Sequence, residues 1–203
     1  GVWRGKNKQT TRSRDDQKRA DDLVKRNFNA DHPDQLWVAD FTYIQTHSGW
    51  VYTAFIIDVF SRAIVGWKVS TRMNTDMVLD ALEQALHDRG MPKNVIHHSD
   101  RGVQYLSIRY TNRLEAANLR ASVGTTGDSY DNALAETVNG LYKTEVIEYL
   151  KADWQGLADV QLATLNWVDW FNKKRVHSAL GYVSPFEFEA MYYDKINPLG
   201  QVA

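Results

Sequence analysis

The chain has no cysteine. Disulfides, zinc–thiolate sites and iron–sulfur clusters are thereby excluded, which fits a reducing cytosol. No apolar run approaches the roughly eighteen residues of a membrane span, and no signal peptide is visible. Methionine is missing from position 1, where Gly1 stands, as expected of a fragment or a processed chain. Net charge is also scarce: 24 Lys and Arg against 25 Asp and Glu leave −1 over 203 residues. That total hides a division. Residues 1–28 hold nine basic side chains against four acidic ones, or +5, and the remainder carries −6. A basic arm on an acidic core suits a polyanionic partner, the acidic excess being gathered elsewhere. A solvated leader is the other use of such an arm. What remains is ordinary: 43% hydrophobic and 24% charged residues, enough for one medium domain with attachments.

The stretch from Asp100 to Glu136 organises the rest. It opens with His97-His98-Ser99-Asp100-Arg101-Gly102-Val103-Gln104-Tyr105, after the apolar run Asn94-Val95-Ile96. It closes with Asp128-Ser129-Tyr130-Asp131-Asn132-Ala133-Leu134-Ala135-Glu136 at a helix start. A third carboxylate, Asp40, lies upstream in the strand-like run Trp37-Val38-Ala39-Asp40-Phe41-Thr42-Tyr43-Ile44. Hard divalent cations take oxygen ligands, and Mg²⁺ is usually held by one or two carboxylates with water and phosphate. Acids from a strand, a strand end and a helix suit two such ions and in-line attack on phosphate.

Taken in order, residues 1–34 read as a basic arm or linker, ending in the turn Asn29-Ala30-Asp31-His32-Pro33-Asp34. Three strands follow, Leu36 to Ile44, Trp50 to Ile57 and Ala63 to Val69, with turns short enough to make them antiparallel neighbours. Asn74 offers an N-cap for a helix with Val78, Leu82, Ala85 and Leu86 inward. A short buried strand is expected over 94–97, a helix over 107–118, a strand over 120–123 and one long helix over 130–150. Helical crossovers between the later strands imply a mixed five-stranded sheet with helices on both faces, an α/β arrangement of the RNase H-like kind. Residues 35–150 form this core. Residues 151–203 read as a helical C-terminal extension, with Asp153 as cap and Leu157, Val160, Thr164, Trp167 or Val168, and Phe171 in one stripe. Its Trp154, Trp167 and Trp170 are expected to pack on the core or on a second subunit.

These motifs resemble the catalytic part of bacterial transposases of the insertion-sequence-three family, which share a retroviral-integrase-type core. The resemblance rests on Trp37 to Ile44, Ile57 to Trp67, His98 to Tyr105, Tyr130 to Lys143, and Arg175-Val176-His177-Ser178-Ala179-Leu180-Gly181-Tyr182-Val183-Ser184-Pro185. It covers nearly the whole chain. It implies that Asp40, Asp100 and Glu136 are the catalytic and metal-binding triad, with two Mg²⁺ as cofactors and Mn²⁺ as a substitute. It further implies strand cleavage at element ends, 3′-hydroxyl strand transfer into DNA, a homodimer or higher oligomer on paired ends, no membrane, and a bacterial cytoplasmic, nucleoid-associated location. A nuclease of the same fold without joining activity, and a non-catalytic DNA-binding derivative, are the rival functions. The sequence departs from the family in two places. Residues 122–129 lack lysine and arginine, and Val176 stands where proline is common. No helix-turn-helix region precedes residue 1, so the end-recognition domain is expected to be absent from this chain.

The same comparison assigns DNA contacts to Lys143, seven residues after Glu136 and on the same helical face. Gly140 between them leaves room for a DNA backbone. Asn132 is read as a cap or helix-orienting residue, with DNA contact as its other role. Lys173, Lys174 and Arg175 form a basic patch that serves either DNA or the helix dipole. Asp58 reads as a turn residue and Glu83 as a surface group. Of His97 and His98, one is expected in the core and the other toward the site.

Overall fold

The computed structural model describes residues 21–25, 27–100, 102–124, 133–149 and 153–197. Consecutive apolar residues in β1 (Leu36–Thr46) and β2 (Gly49–Asp58) go to opposite faces of the sheet, and since both faces are covered they form continuous buried runs. They pair antiparallel through a tight turn, where Gly49 takes a φ of +110°. A second turn leads to β3 (Ile64–Ser70), also antiparallel to β2. Asp58 builds that turn, as the sequence predicts. Its Oδ1 accepts from the Ser61 backbone N–H and hydroxyl, at 2.9 and 3.0 Å, and its Oδ2 from the Asp34 N–H at 2.7 Å.

Helix α1 (Thr75–Asp88) is capped by Asn74, whose side chain accepts from Met77 N–H. Its apolar face lies on β3 at Gly66, where an added Cβ would stand 2.3 Å from the Ala81 carbonyl oxygen. The chain returns as β4 (Ile96–Ser99), parallel to β1, then α2 (Ile108–Ala116), then β5 (Arg120–Val123), parallel to β4. The sheet order is β3-β2-β1-β4-β5. Helix α2 is shorter than the expected 107–118: Ser107 is its cap, accepting from Tyr110 N–H, and Asn118 leaves the helix with φ +58°.

The expected long helix over 130–150 is present as one helical run through the described residues 133–149, but not as α-helix throughout. Residues 130–132 and 150 lie outside the described residues. Helix α3 (Ala133–Tyr142) then gives way to a π-helical segment, Lys143–Glu148. The cap of the next helix is corrected. Helix α4 (Leu157–Lys173) starts after Gly156, Asp159 accepts from Gln155 N–H, and Asp153 pairs instead with His47. A 3₁₀ turn (Ser178–Leu180) and α5 (Pro185–Ile196), opened by a capping box between Ser184 and Glu187, are the last described elements.

The two faces of the sheet carry separate cores. On one, Trp37, Ala39, Ala54 and Ile56 meet Leu82 and Leu86 of α1 and Tyr110 and Leu114 of α2. On the other, Val38, Phe55 and Ile57 meet Val138 and Tyr142 of α3, Val146, and Val160, Trp167 and Phe171 of α4. The stripe foreseen on α4 therefore shares one core with the sheet. Trp154 and Trp167 are buried there, while Trp170 remains 41% exposed. No helix among the described residues is long and apolar enough to cross a membrane.

Candidate active site

The parallel pairing of β1 with β4 decides where two of the carboxylates go. Its register runs Leu36 with Ile96, through Ala39 with Ser99. The next residue is an aspartate in both cases, Asp40 within β1 and Asp100 directly after β4. Side chains alternate along a strand, so Asp40 falls on the same face as Val38, the face covered by α3. Helix α3 brings Glu136 in its first turn. One turn further on, Asn139 donates from Nδ2 to Asp40 Oδ2 at 2.9 Å. The helix that carries the glutamate is thereby tied to the strand that carries the first aspartate.

Each aspartate is held by a local donor as well. Asp40 Oδ1 accepts from the Phe41 N–H at 2.8 Å, and Asp100 Oδ1 from the Gly102 N–H at 2.9 Å. Gly102 has little room for a side chain, since a Cβ there would lie 2.9 Å from Asp100 Oδ1. The Asp40 carboxyl is pushed up to about 6, foremost by burial, with further pushes from the charges of Asp100 and Glu136. The hydrogen bonds from Phe41 N–H and Asn139 act against that rise. Nearby Tyr105 is buried and its phenol is held well above its usual range, chiefly by burial, so it stays neutral.

Among the described residues no three His, Asp or Glu side chains stand together as a ready-made metal cluster. The donor chemistry nonetheless fits a hard divalent cation. The acids are oxygen donors, and Asp40 carries the mutual repulsion that a cation relieves. The histidines do not join them. His97 is buried against α2, its Nε2 3.0 Å from Tyr110 Oη, and burial lowers it to about 4. His98 is buried on the opposite face, its Nδ1 2.9 Å from Ser122 Oγ and its ring edge-on to Phe28. The two alternate as expected: His98 pairs in register with Val38, on the sheet face that also carries Asp40, and both histidines are buried.

The expected DNA-contacting residues are scattered in circumstance. Lys143 Nζ sits 4.9 Å from the centre of the Tyr43 ring. Lys173 is paired with Asp169 one turn back, and Lys174 is exposed where α4 ends. Arg175 is turned onto the protein, with Nη2 2.7 Å from Glu145 Oε1. Asn132 lies outside the described residues. A Cβ on Gly140 would meet nothing within 4 Å, so protein packing does not require that glycine. Glu83 is a surface group as expected, paired with Arg113. Sequence reasoning missed Asn139 and Gly102 as supports of the aspartates. The signal for Asn139 was its i+3 spacing from Glu136, which places both on neighbouring turns of one face.

The integrase core domain family matches residues 30–129, and a second integrase core domain family matches 117–185. Among curated proteins, the transposase for insertion sequence element IS629 of Shigella sonnei is 57% identical over 196 residues, covering 97% of this chain. The putative transposase for IS986/IS6110 of Mycobacterium tuberculosis (strain ATCC 25177 / H37Ra) is 51% identical over 198 residues, covering 95% of this chain and 71% of its own length. This chain belongs to the insertion-sequence transposases with an integrase core. It spans 65% of the length of the Shigella transposase. The catalytic core domain of HTLV-2 integrase, solved in complex with magnesium, shares the RNase H-like fold at TM-score 0.63 and 18% identity, covering 79% of this chain and 99% of that one. A chain of the simian T-cell lymphotropic virus intasome does so at TM-score 0.68 and 16% identity, covering 79% and 56%.

Proposed function

We propose that this chain is the catalytic part of a DNA transposase that cleaves DNA strands at insertion-sequence ends and joins the freed 3′-hydroxyl to target DNA. The observation that carries the reading is the register of β1 and β4. It sets Asp40 beside Asp100, while Asn139 ties the Glu136 helix to Asp40. In this reading Asp40, Asp100 and Glu136 hold two Mg²⁺, with Mn²⁺ as a substitute. Such ions, when bound, activate the attacking oxygen and stabilise charge on the phosphate under attack. The protein's own part is to fix the three carboxylates and to orient Asp40 through Phe41 N–H and Asn139. Water and a 3′-hydroxyl attack phosphorus in the same in-line geometry, so one site serves both steps.

Lys143, Lys174 and Asn132 are the proposed DNA contacts, with Lys173 released from Asp169 to join them. Two or more copies act on paired element ends in the bacterial cytoplasm. The test is a gel assay with labelled element ends and Mg²⁺, comparing the protein with Asp40→Asn, Asp100→Asn and Glu136→Gln. Cleaved and branched or circular products from the unmodified chain, and none from the variants, are expected. Cleaved products without joined ones would point to a nuclease of the same fold. A joining-competent Asp100→Asn variant would overturn the site.

A further inference from the structure

Arg175 sits in the basic run Asn172-Lys173-Lys174-Arg175, which from sequence reads as a patch for phosphate. Its surroundings say otherwise. The guanidinium grips Glu145 with Nε at 2.9 Å from Oε1 and Nη2 at 2.7 Å from the same oxygen. The pair is only 20% and 24% exposed. Trp167 of α4 completes the grip, donating from Nε1 to Glu145 Oε2 at 2.9 Å. The guanidinium also lies 5.6 Å from the Phe171 ring centre, and His177 stacks edge-on against that same ring.

Glu145 belongs to the π-helical segment that continues α3, nine residues after Glu136. The two ends of this helical run have different partners: Asn139, one turn after Glu136, meets Asp40, while Glu145 meets Trp167 and Arg175. Asn139 fastens one end to Asp40 in the sheet, and Arg175 fastens the other to α4 and the tail beyond it. A π-helical insertion is uncommon and tends to mark functional sites. Here it coincides with the turn that delivers Glu145 to its partners.

We propose that Arg175 is a positioning residue for the reaction: through Glu145 it holds the helix that bears Glu136, and it is not a phosphate contact. This rests on the transposase reading above. Loss of the grip lets the helix rotate and displaces Glu136 while leaving the DNA surface intact. A displacement on the order of 1 Å at a reacting centre can cost about a hundredfold in rate.

The experiment uses the full chain with Arg175→Met, Glu145→Gln, and the reversed pair Glu145→Arg with Arg175→Glu. Cleavage rate at saturating DNA, its Mg²⁺ dependence, and the salt dependence of DNA binding are measured well below each melting point. Both single variants should cleave at least about tenfold more slowly and need more Mg²⁺ for half-maximal rate, with the reversed pair recovering part of both. The slope of log affinity against log salt should not change. If instead Arg175→Met flattens that slope by about one and Glu145→Gln tightens DNA binding, Arg175 contacts phosphate and the inference fails. Wild-type rate and Mg²⁺ requirement in Glu145→Gln would overturn it too, and this near-isosteric variant carries the test should Arg175→Met not fold. Absence of any cleavage by the unmodified chain would strike the transposase reading, a result distinct from either of these.

Discussion

Asn139 Nδ2 stands 2.9 Å from Asp40 Oδ2, while its own Oδ1 is buried without a partner among the described residues. A side chain buried with half its polar capacity unused is costly to keep. Its place beside the acids makes positioning of Asp40 the use that offsets this cost. Asn139→Leu should therefore reduce cleavage by roughly ten- to a hundredfold, the range typical of lost support around a metal-ligating group. The melting temperature should hold or rise, because the unsatisfied carbonyl is removed along with the amide. Equal rates for the two proteins, measured under saturating Mg²⁺ and DNA, would remove Asn139 from the site.

Gly102 tests the other aspartate. Its N–H donates to Asp100 Oδ1, and an alanine methyl would fall 2.9 Å from that same oxygen. Gly102 itself lies in the loop after β4, its carbonyl accepting from the Tyr105 and Leu106 N–H groups, hydrogen bonds that an alanine keeps. Gly102→Ala should push the carboxylate aside, lowering cleavage about tenfold or more for a small misplacement. Thermal stability should change by no more than about half a kcal/mol, as for a surface substitution. A melt that falls in step with activity would mean that the loop, and not Asp100, responds.

Much of this was legible in the sequence because the pattern and the fold agree. The strand over Trp37 to Ile44, the Asn74 cap, and the stripe through Val160, Thr164, Trp167 and Phe171 each correspond to what was formed. The π-helical segment was not legible. Lys143 to Glu148 has no breaker, and the partner that Glu145 takes there, Arg175, stands thirty residues later. The Asp153 cap failed for a similar reason, since His47 on the first hairpin takes that carboxylate. The burial of His98 was not legible because Phe28 and Ser122, both distant in sequence, close over it. Local signals carry local structure; partners brought by topology do not show in them.

Close packing of α1 on β3 yields a stability prediction. Alanine at Gly66 would bring Cβ within 2.3 Å of the Ala81 carbonyl oxygen and 2.9 Å of Ala85 Cβ. Backbone cannot move aside as a flexible side chain can. Gly66→Ala should destabilise by about 1–3 kcal/mol or more, the usual cost of overpacking. Chemical denaturation with an unchanged m-value would show it, and activity at low temperature should survive. An unaffected midpoint would mean that α1 lifts from the sheet at little cost.

Lys143 carries the proposed phosphate contact, and its Nζ now rests over Tyr43. That contact leaves the charge in place and holds the side chain beside β1, the strand of Asp40. Lys143→Ala should weaken strand joining far more than it lowers stability, which should shift by no more than about half a kcal/mol. Lys143→Arg should keep part of the activity, because phosphate contact depends on charge more than on shape. The salt slope of binding should fall by about one in Lys143→Ala alone. Equal joining rates for Lys143→Ala and the unmodified chain would return the lysine to a plain surface role.

Asp58 gives a pH dependence whose sign is the reverse of the usual carboxylate case. It is fully buried, and burial above all pushes its carboxyl from 3.8 up to about 6, with Glu189 and Asp34 adding smaller pushes and the Ser61 and Asp34 N–H groups acting against them. The folded protein therefore binds a proton more tightly than the unfolded chain does. Between about pH 4 and pH 6 the native state holds more protons, so stability contributed by this group falls as pH rises. It is present in full below the unfolded value and lost once pH passes the folded one. Replacing Asp58 by Asn removes the titration while leaving a side-chain oxygen to accept from Ser61. The difference in stability between Asp58→Asn and the unmodified chain should consequently shift in favour of the variant from pH 4 to pH 6.5, by about 1–3 kcal/mol. Parallel urea melts at those two pH values read the shift directly. A difference that stays constant, or that moves in favour of the aspartate as pH rises, would mean that the three hydrogen bonds to Asp58 outweigh its burial.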